Sequence, residues 1–301
     1  MTDYTEADVG SQSDKTIFVT GANTGIGYDT ARVLALRGAR VLLGCRSQAK
    51  ANEAIDKIKA LKSDARLSWV PLDLASLKSV EAAATIVNKE PRLDALVNNA
   101  GVMMPPKQVT EDGFELQFGV NHLGHFALIG HLIHRLKDQV GARIVNVSSL
   151  VHRNGVIDYQ DIHAEKGYAR MARYSMSKLA NLLFIYELDR LLKAAGSPAI
   201  AVACHPGGSA TELGRHIPAF ISALLTPLNL LMNSSAEGAL PTLMATTAEG
   251  VQGGDYFGPK RMGEMRHSAH RVQPIAAAKE PVDAQKLWQI SSELTDVSYA
   301  L

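Results

Sequence analysis

The sequence predicts an α/β fold in which a single doubly wound, parallel sheet of about seven strands carries helices on both faces. Short β-branched runs alternate with helical patterns from Lys15 onward, and this alternation implies parallel strands joined by right-handed crossovers. The runs are apolar throughout, as in strands that are covered on both faces. There is neither a linker nor an internal repeat, so residues 14–301 are predicted to form one domain behind a flexible leader at 1–13.

The elements follow from apolar runs and helical spacing. Seven runs predict the strands, namely KTIFVTG, ARVLLGC, LSWVPLD, LDALVNNAG, ARIVNVSS, AIAVACHPG and GDYFGP. The first helix, IGYDTARVLALRG, repeats its apolar residues at helical spacing and closes at Gly38. Further helices are predicted near 47–62, 76–90 and 112–138, and another begins near Tyr174.

The composition is that of a soluble globular protein, with 46% hydrophobic and 20% charged residues. A net charge of +1 gives no electrostatic reason to expect nucleic acid or an acidic membrane as a partner. Cys45 and Cys204 lie in apolar, strand-like runs, so we expect two buried thiols and neither a disulfide nor a metal site. This cysteine usage, together with a polar N-terminus that has no signal-peptide core, predicts a cytoplasmic protein.

The apolar stretch IPAFISALLTPLNLLM at 217–232 is shorter than the ~18 residues of a spanning helix and contains two prolines. We therefore predict no integral membrane segment, and a small helical lid over a substrate site at about 212–235. Residues 150–173 are expected to form the opposite wall, and apolar walls favour a hydrophobic substrate. The alternative is that the same residues close a core or a subunit interface. The apolar face of helix 174–196 likewise fits either a homodimer or homotetramer contact or packing on its own sheet.

The first strand runs directly into TGANTGIG, and a helix follows at once. Glycines at 21, 25 and 27 allow a tight turn, a close backbone approach to a pyrophosphate, and close packing of helix on strand. The N-terminus of the helix adds N–H donors and the positive end of its dipole. This context predicts a Rossmann-type dinucleotide site. Its predicted cofactor-binding residues are Gly21, Asn23, Thr24, Gly25, Ile26 and Gly27.

The spacing of these glycines resembles the cofactor loop of the short-chain dehydrogenase/reductase family. NNAG at 98–101, Asn121, Ser149 and the pair Tyr174 and Lys178 stand where the other motifs of that family stand. The resemblance covers about residues 15–260. DGFELQFGVNHLGHF and HPGGSATEL are most similar to the retinol dehydrogenase-like branch, which also includes WW-domain oxidoreductase and protochlorophyllide reductase. No N-terminal anchor like that of the membrane-bound retinol dehydrogenases is predicted, and Cys45 and Cys204 do not obviously supply the cysteines on which protochlorophyllide reductases rely. Retinoid or chlorophyll chemistry therefore does not follow from the resemblance.

The end of the second strand decides which nicotinamide cofactor is expected. An acid there would bind a free ribose 2′-hydroxyl and repel a 2′-phosphate. The chain has Arg46 and no acid, and a guanidinium can clamp a phosphate, so NADP(H) is predicted over NAD(H). The alternative is a solvated arginine at a strand end.

The resemblance implies further cofactor contacts. Asp73, followed by Leu74, resembles the acceptor of the adenine amino group, although it could instead cap the next helix, where Ser76 is better placed. The remaining contacts implied by the resemblance are Asn99, Ala100 and Gly101 along the cofactor, and Pro206, Gly207 and Thr211 near the carboxamide.

Tyr174 and Lys178 lie four residues apart, on one face of a helix. A free tyrosine has a pKa of about 10, and we expect the lysine and a positive nicotinamide ring to lower it. Ser149 would hold the substrate oxygen while Tyr174 transfers the proton. The resemblance implies that Lys178 also binds the nicotinamide ribose and that Asn121 holds a water on the proton path. Ser148 competes for the serine role, but adjacent strand residues face opposite ways and the family spacing favours Ser149.

Two histidine pairs in the predicted helix 112–138, at 122/125 and 131/134, have metal-ligand spacing. The pairs are more than two turns apart and no cysteine or HExxH-like element supports them, so no metal is predicted.

Together these features predict an NADP(H)-dependent oxidoreductase that interconverts a hydrophobic alcohol and its ketone or aldehyde. A non-catalytic dinucleotide sensor is the competing class, although every reacting position is filled. Another reaction on the same scaffold, such as C=C reduction, dehydration or epimerisation, also stays open.

Overall fold

The computed structural model describes residues 3–208 and 233–301. Its sheet has eight strands in the order β3-β2-β1-β4-β5-β6-β7-β8, of which the first seven along the chain are parallel. The strands are β1 Thr16–Thr20, β2 Arg40–Cys45, β3 Leu67–Pro71, β4 Ala95–Asn98, β5 Arg143–Val147, β6 Ile200–Cys204, β7 Tyr256–Arg261 and β8 Arg266–Arg271. The predicted doubly wound α/β fold is confirmed, and β8, which pairs antiparallel with β7, extends it by one edge strand.

Helices cover both faces of the sheet because each central strand is apolar on both sides. In β4, Leu96 joins the core beneath one set of helices and Val97 the core on the opposite face. The first set consists of α3 Leu77–Val87, α5 Gly124–Leu136, α6 Arg170–Ala194 and α8 Pro281–Thr295. The second set consists of α1 Gly25–Leu36, α2 Gln48–Leu61 and α7 Ser235–Thr247.

The predicted helix 112–138 is divided into three segments. A single turn, α4 Leu116–Phe118, leads into a π-helical turn at Gly119–Leu123, and α5 continues from Gly124. Asn121 lies in the π turn and is fully buried. Single π turns within helices occur frequently at functional sites.

The C-terminal part of the chain covers α5 and α6. Trp288 of α8 packs on Phe184 of α6, with ring centroids 5.6 Å apart. Beyond α8, the Tyr299 hydroxyl donates a 2.6 Å hydrogen bond to the carbonyl of Phe126. The apolar side of α6 therefore packs within its own chain, on the sheet and on α8. The homodimer or homotetramer stays a prediction.

The predicted leader makes defined contacts with the domain. Tyr4 bridges to Ala269 of β8, Val9 is buried, and Glu6 forms an ion pair of 2.5 Å with Arg32 of α1. Its flexibility stays a prediction.

Throughout the described ranges, 3–208 and 233–301, the helices are too short or too polar to cross a bilayer. The apolar stretch 217–232 and all of the predicted lid before Asn233 lie outside these ranges.

Candidate active site

The phosphate-binding loop joins β1 to α1 at the point where the strand order reverses, which is where open α/β sheets bind ligands. Gly21 adopts a φ of +68°, which favours glycine. A Cβ at Gly27 would lie 2.3 Å from the Gly21 carbonyl oxygen and 2.4 Å from Asn99 Nδ2, so only glycine lets the helix approach this closely. The close packing of helix on strand at these glycines is therefore present, and the pyrophosphate contact stays a prediction.

The N-terminus of α1 has no side-chain cap. Thr24 occupies the N-cap position in an extended conformation, and its side chain makes no capping hydrogen bond. Such a helix end favours an anion, because its N–H groups and its dipole point outward. Asn23 and Thr24 are partly exposed beside it, whereas the side chain of Ile26 is buried in the core beneath α1.

Arg46 follows β2 with its side chain 72% exposed, and its Nη1 lies 4.0 Å from Asp73 Oδ2. This exposed contact is weak, so the guanidinium can move to a ligand. Asp73 Oδ1 accepts the N–H of Ala75, and Leu74 is buried. Ser76 caps α3, as predicted, because its hydroxyl accepts the N–H of Ser79. Asp73 is thus not the cap of α3 and stays available at this edge of the sheet.

A cavity of about 200 Å³ lies beside the phosphate-binding loop. Its lining comprises Asn23, Thr24, Gly25, Tyr28, Lys50, Glu53, Ala54 and Lys57. The cavity lies between the phosphate-binding loop and α2. Of the two lysines in its wall, Lys57 pairs with Glu53 at 2.6 Å.

NNAG, at 98–101, connects the loop after β4 to the end of β1 by hydrogen bonds. The Thr20 hydroxyl accepts the N–H groups of Asn99 and Ala100, both at 3.0 Å. Asn99 Nδ2 donates to the Thr20 carbonyl at 2.9 Å. A Cβ at Gly101 would lie 3.0 Å from Asn121 Oδ1 and 3.7 Å from Lys178 Nζ. Gly101 therefore stands beside two of the predicted catalytic residues.

The side-chain amide of Asn121 is engaged by protein groups. Oδ1 accepts the N–H of Val102 at 2.8 Å, while Nδ2 donates to the Val102 carbonyl at 3.0 Å and to Ser177 Oγ at 2.9 Å. Both hydrogens of the side-chain amide are used. A water molecule at this side chain could therefore only donate a hydrogen bond to its oxygen, Oδ1.

Ser149 lies two residues beyond β5 and caps the 3₁₀ helix Leu150–Asn154. Its hydroxyl lies near the phenol of Tyr174, where it favours the ionised form and so acts to lower the pKa of Tyr174. Ser148 points elsewhere, because its hydroxyl is buried and donates a 2.8 Å hydrogen bond to the carbonyl of Lys178. Of the two serines, Ser149 is therefore the one that meets Tyr174.

Tyr174 lies in the second turn of α6 and is 5% exposed. Burial raises its pKa to about 12, and the nearby Ser149 hydroxyl opposes this only in part. The expected lowering of the pKa of Tyr174 is therefore wrong for the protein alone. The physical reason is that Lys178 Nζ lies over the ring, 5.8 Å from its centroid, and donates its 3.0 Å hydrogen bond to the carbonyl of Val147.

Lys178 is itself fully buried, and burial lowers its pKa to about 8. Ionisable groups with perturbed pKa values in a buried cluster are typical of functional sites.

The loop after β6 approaches the same edge of the sheet. The N–H of Gly207 donates to His205 Nδ1 at 3.2 Å, and Asn233 Nδ2 donates to the Pro206 carbonyl at 3.3 Å. Thr211, predicted to contact the carboxamide, lies outside the described residues.

The predicted wall at 150–173 is tied to its neighbours by polar contacts. Arg173 and Asp161 form an ion pair of 3.0 Å whose side chains are both buried. The Tyr168 hydroxyl donates to the carbonyl of Pro105 at 2.9 Å and accepts from Gln117 Nε2 at 3.0 Å. The wall thus has a fixed position beside α4 and the loop after β4.

His122 and His125, which share metal-ligand spacing, bind different partners. Nε2 of His122 lies 2.7 Å from Ser291 Oγ, and Nε2 of His125 lies 3.0 Å from Thr20 Oγ1. Burial lowers the pKa of His122 to about 3 and that of His125 to about 4. Among residues 3–208 and 233–301, no group of three His, Cys, Asp or Glu side chains is placed to hold a metal ion.

Residues 15–221 match the family model described as short chain dehydrogenase. The chain belongs to this family. It is 43% identical to retinol dehydrogenase 13 of Homo sapiens over 93% of this chain and 84% of that protein, and 40% identical to retinol dehydrogenase 14 of Mus musculus over 96% and 88%. A solved structure of an uncharacterised protein from Mycobacterium Paratuberculosis is 38% identical, with a TM-score of 0.83 over the whole of both chains.

Membership of the short-chain dehydrogenase family, in its retinol dehydrogenase-like branch, makes the chain an oxidoreductase that binds a nicotinamide dinucleotide. The glycine cradle at Gly27 and the uncapped end of α1 fit such a cofactor.

Two contacts of this short-chain dehydrogenase were not predicted. His152 Nδ1 donates a 2.7 Å hydrogen bond to the carbonyl of Ser149, and His125 Nδ1 donates a 3.1 Å bond to the carbonyl of Asn121. Both histidines follow a predicted catalytic residue by one helical turn, three and four residues along the chain. That spacing is the signal that sequence reasoning could have used.

Proposed function

We propose that this chain is an NADP(H)-dependent alcohol dehydrogenase or carbonyl reductase that interconverts a hydrophobic alcohol and its ketone or aldehyde, with Tyr174 as general acid and base. The observation that carries the proposal is the buried phenol of Tyr174 beside the Ser149 hydroxyl, with the Lys178 ammonium 5.8 Å from the centroid of the same ring. These three side chains meet at the carboxyl edge of the sheet, next to the loops that cradle a dinucleotide.

Two hydroxyl groups have different roles at the reacting oxygen of the substrate. Ser149 Oγ holds the carbonyl oxygen of the substrate, and Tyr174 Oη donates its proton to that oxygen as the alcohol forms. The bound nicotinamide supplies the hydride. Lys178 positions the ribose and keeps positive charge near the phenol, while Asn121 fixes the loop after β4 through Val102.

The protonation state of Tyr174 in the protein alone is the one that carbonyl reduction requires. Because the pKa of Tyr174 is raised to about 12, its hydroxyl carries a proton throughout the neutral range. A neutral phenol is a proton donor, which reduction requires. Alcohol oxidation requires the phenolate, and the positive ring of the oxidised cofactor would favour that ion.

The preference for NADP(H) is supported by charge at the adenosine end. Arg46 is exposed beside the loop, no acid occupies the end of β2, and Lys50 and Lys57 line the neighbouring cavity. Arg46→Glu should reverse or abolish the preference for NADPH over NADH in kcat/KM, by about tenfold or more, because a carboxylate repels the 2′-phosphate. An unchanged ratio would remove Arg46 from the proposal and leave NAD(H) as the alternative.

A hydrophobic substrate is supported by the name of the curated relatives, which refers to an apolar alcohol, and by the apolar character of the 217–232 segment. The two buried, free cysteines are in keeping with the cytoplasmic location that the sequence predicts. Both statements stay proposals.

The direct test is a panel of aldehydes, ketones and alcohols of increasing apolar surface, followed by NADPH absorbance. We expect turnover that improves with apolar size. No turnover across the panel, with NADPH still bound, would favour the dinucleotide sensor instead.

A further inference from the structure

His125 is a buried residue of α5 that lies one helical turn after Asn121. Its ring lies between Asn121 and Thr20, the last residue of β1, and it is almost completely shielded from solvent. Nδ1 is 3.1 Å from the carbonyl oxygen of Asn121, and Nε2 is 3.0 Å from Thr20 Oγ1. One ring thus joins the π turn that carries Asn121 to the strand end that begins the phosphate-binding loop.

The partners of the ring determine which nitrogen carries the proton. A carbonyl oxygen can only accept, so Nδ1 must be the N–H that donates to Asn121. Nε2 is then bare in the neutral ring and accepts the hydroxyl hydrogen of Thr20. The Thr20 oxygen already accepts two N–H groups, from Asn99 and Ala100, and of the two acceptors within reach of its hydrogen, His125 Nε2 at 3.0 Å is nearer than the Val97 carbonyl at 3.4 Å.

Burial, together with a nearby positive charge, keeps the ring of His125 neutral. Burial and the nearby ammonium of Lys178 lower the pKa of His125 to about 4, while its hydrogen bond to Asn121 acts in the other direction. A neutral ring can donate at one nitrogen and accept at the other at the same time, which a protonated ring cannot.

We propose that His125 is a positioning residue that holds Asn121 and the cofactor-binding loops in one rigid frame through its Nδ1–H and its bare Nε2. The inference rests on the proposed function for its effect on turnover, but not for its effect on cofactor binding. His125 links the end of β1, the NNAG loop through Thr20, and the π turn, so that binding of a dinucleotide at the loop and the placement of Asn121 depend on one another. Supporting contacts of this kind typically change activity by about 10- to 100-fold when they are removed.

His122, which lies beside Asn121 in the π turn, provides a matched control. It is also fully buried, but its Nε2 lies 2.7 Å from Ser291 Oγ of α8 and its ring packs against Phe118, 5.0 Å between centroids. His122 thus connects the turn to the C-terminal helix and away from the cofactor loops. Replacing either histidine by phenylalanine keeps a planar ring and removes its hydrogen bonds.

The experiment compares His125→Phe and His122→Phe with the unmodified protein in three measurements. The dissociation constant for NADPH is expected to rise about 3- to 10-fold in His125→Phe, as for loss of one or two hydrogen bonds, and to stay within about twofold in His122→Phe. With the best carbonyl of the panel, kcat should fall about 10- to 100-fold in His125→Phe alone, with KM for the carbonyl changed less than about threefold. Equal changes in both variants, in kcat and in NADPH affinity, would reduce His125 to a packing residue and overturn the proposal.

The third measurement uses the unmodified protein, so it does not depend on whether a variant folds or on whether a substrate has been found. Nitrogen-15 NMR of the histidine rings distinguishes a protonated Nδ1 from a protonated Nε2. We expect the proton of His125 on Nδ1 near neutral pH, and a proton on Nε2 would contradict the proposal. If no carbonyl turns over, the proposed function fails while the NADPH affinities and the NMR spectrum still decide the role of His125.

Discussion

Tyr174 is a buried phenol that holds its proton tightly. Sequence reasoning predicted an acidic tyrosine from the lysine one turn away. The structure shows that burial dominates, raising the pKa of Tyr174 to about 12, while Lys178 directs its ammonium to the carbonyl of Val147. Sequence spacing places two side chains on one face of a helix, but it does not say how much water reaches them or where their hydrogen bonds go.

The two directions of the reaction should therefore differ in their dependence on pH. Between pH 5 and 7, kcat/KM for carbonyl reduction is expected to stay flat, because Tyr174, with a pKa of about 12, and Lys178, with a pKa of about 8, both stay protonated. For alcohol oxidation, kcat/KM should rise with pH, because the active species is the phenolate. Both profiles can be measured with one alcohol–ketone pair. A reduction rate that falls steeply as the pH rises from 5 to 7 would contradict a phenol that stays protonated in this range.

The buried charge of Lys178 is predicted to lower the free energy of unfolding. Its pKa is about 8 in the folded protein and about 10.5 when unfolded, so below pH 8 both states are protonated and the full penalty of burying the charge is present. From pH 8 to 10.5 the folded state releases the proton first, and stability rises. Lys178→Met should therefore increase the free energy of unfolding by about 3 kcal/mol at pH 7, while abolishing turnover, and this gain should shrink toward pH 10.

Urea unfolding at pH 7 and pH 10 measures both effects. Lys59→Met, on the exposed face of α2, is the control and should change stability by less than about 0.5 kcal/mol at either pH. A loss of stability in Lys178→Met at pH 7 would mean that the hydrogen bond to Val147 outweighs the penalty of burial.

At the scale of elements, the loop between β1 and α1 depends on the close approach of Gly27 to the backbone of Gly21. A Cβ at Gly27 would lie 2.3 Å from the Gly21 carbonyl oxygen, so Gly27→Ala must push α1 away from the loop. We expect NADPH affinity to fall at least tenfold, because the backbone no longer fits the pyrophosphate. Gly167→Ala is the matched control, since a Cβ there meets nothing within 4 Å. Calorimetric titration with NADPH would contradict this account if the two variants bound equally well.

The elements that sequence reasoning missed are those without a strong pattern. β8, RHSAHR, has no apolar run, because it is an edge strand in which only Ser268 and Ala269 are buried. The π turn at Gly119–Leu123 was read as ordinary helix, since its apolar residues continue the pattern of α5. By contrast, β1, β4 and β5 were predictable because both of their faces are buried, which leaves continuous apolar runs.

At the scale of the whole molecule, the site is assembled from residues far apart in the chain. Thr20, Asn99, Asn121, Ser149 and Tyr174 come from three strand–helix units, those of β1, β4 and β5, and the parallel sheet brings their ends to one edge. Their meeting was predictable from the order of the strands. What could not be predicted were the ties between units, such as those made by His125 and His152, because they depend on packing between elements.

The central claim is that Tyr174 passes the proton to and from the substrate oxygen. Its most direct test is Tyr174→Phe, which removes one hydroxyl and keeps the buried ring. On the best carbonyl of the panel, kcat should fall about 10²- to 10⁴-fold while the dissociation constant for NADPH stays within about threefold. A variant that reduces the same carbonyl at the rate of the unmodified protein would contradict the claim.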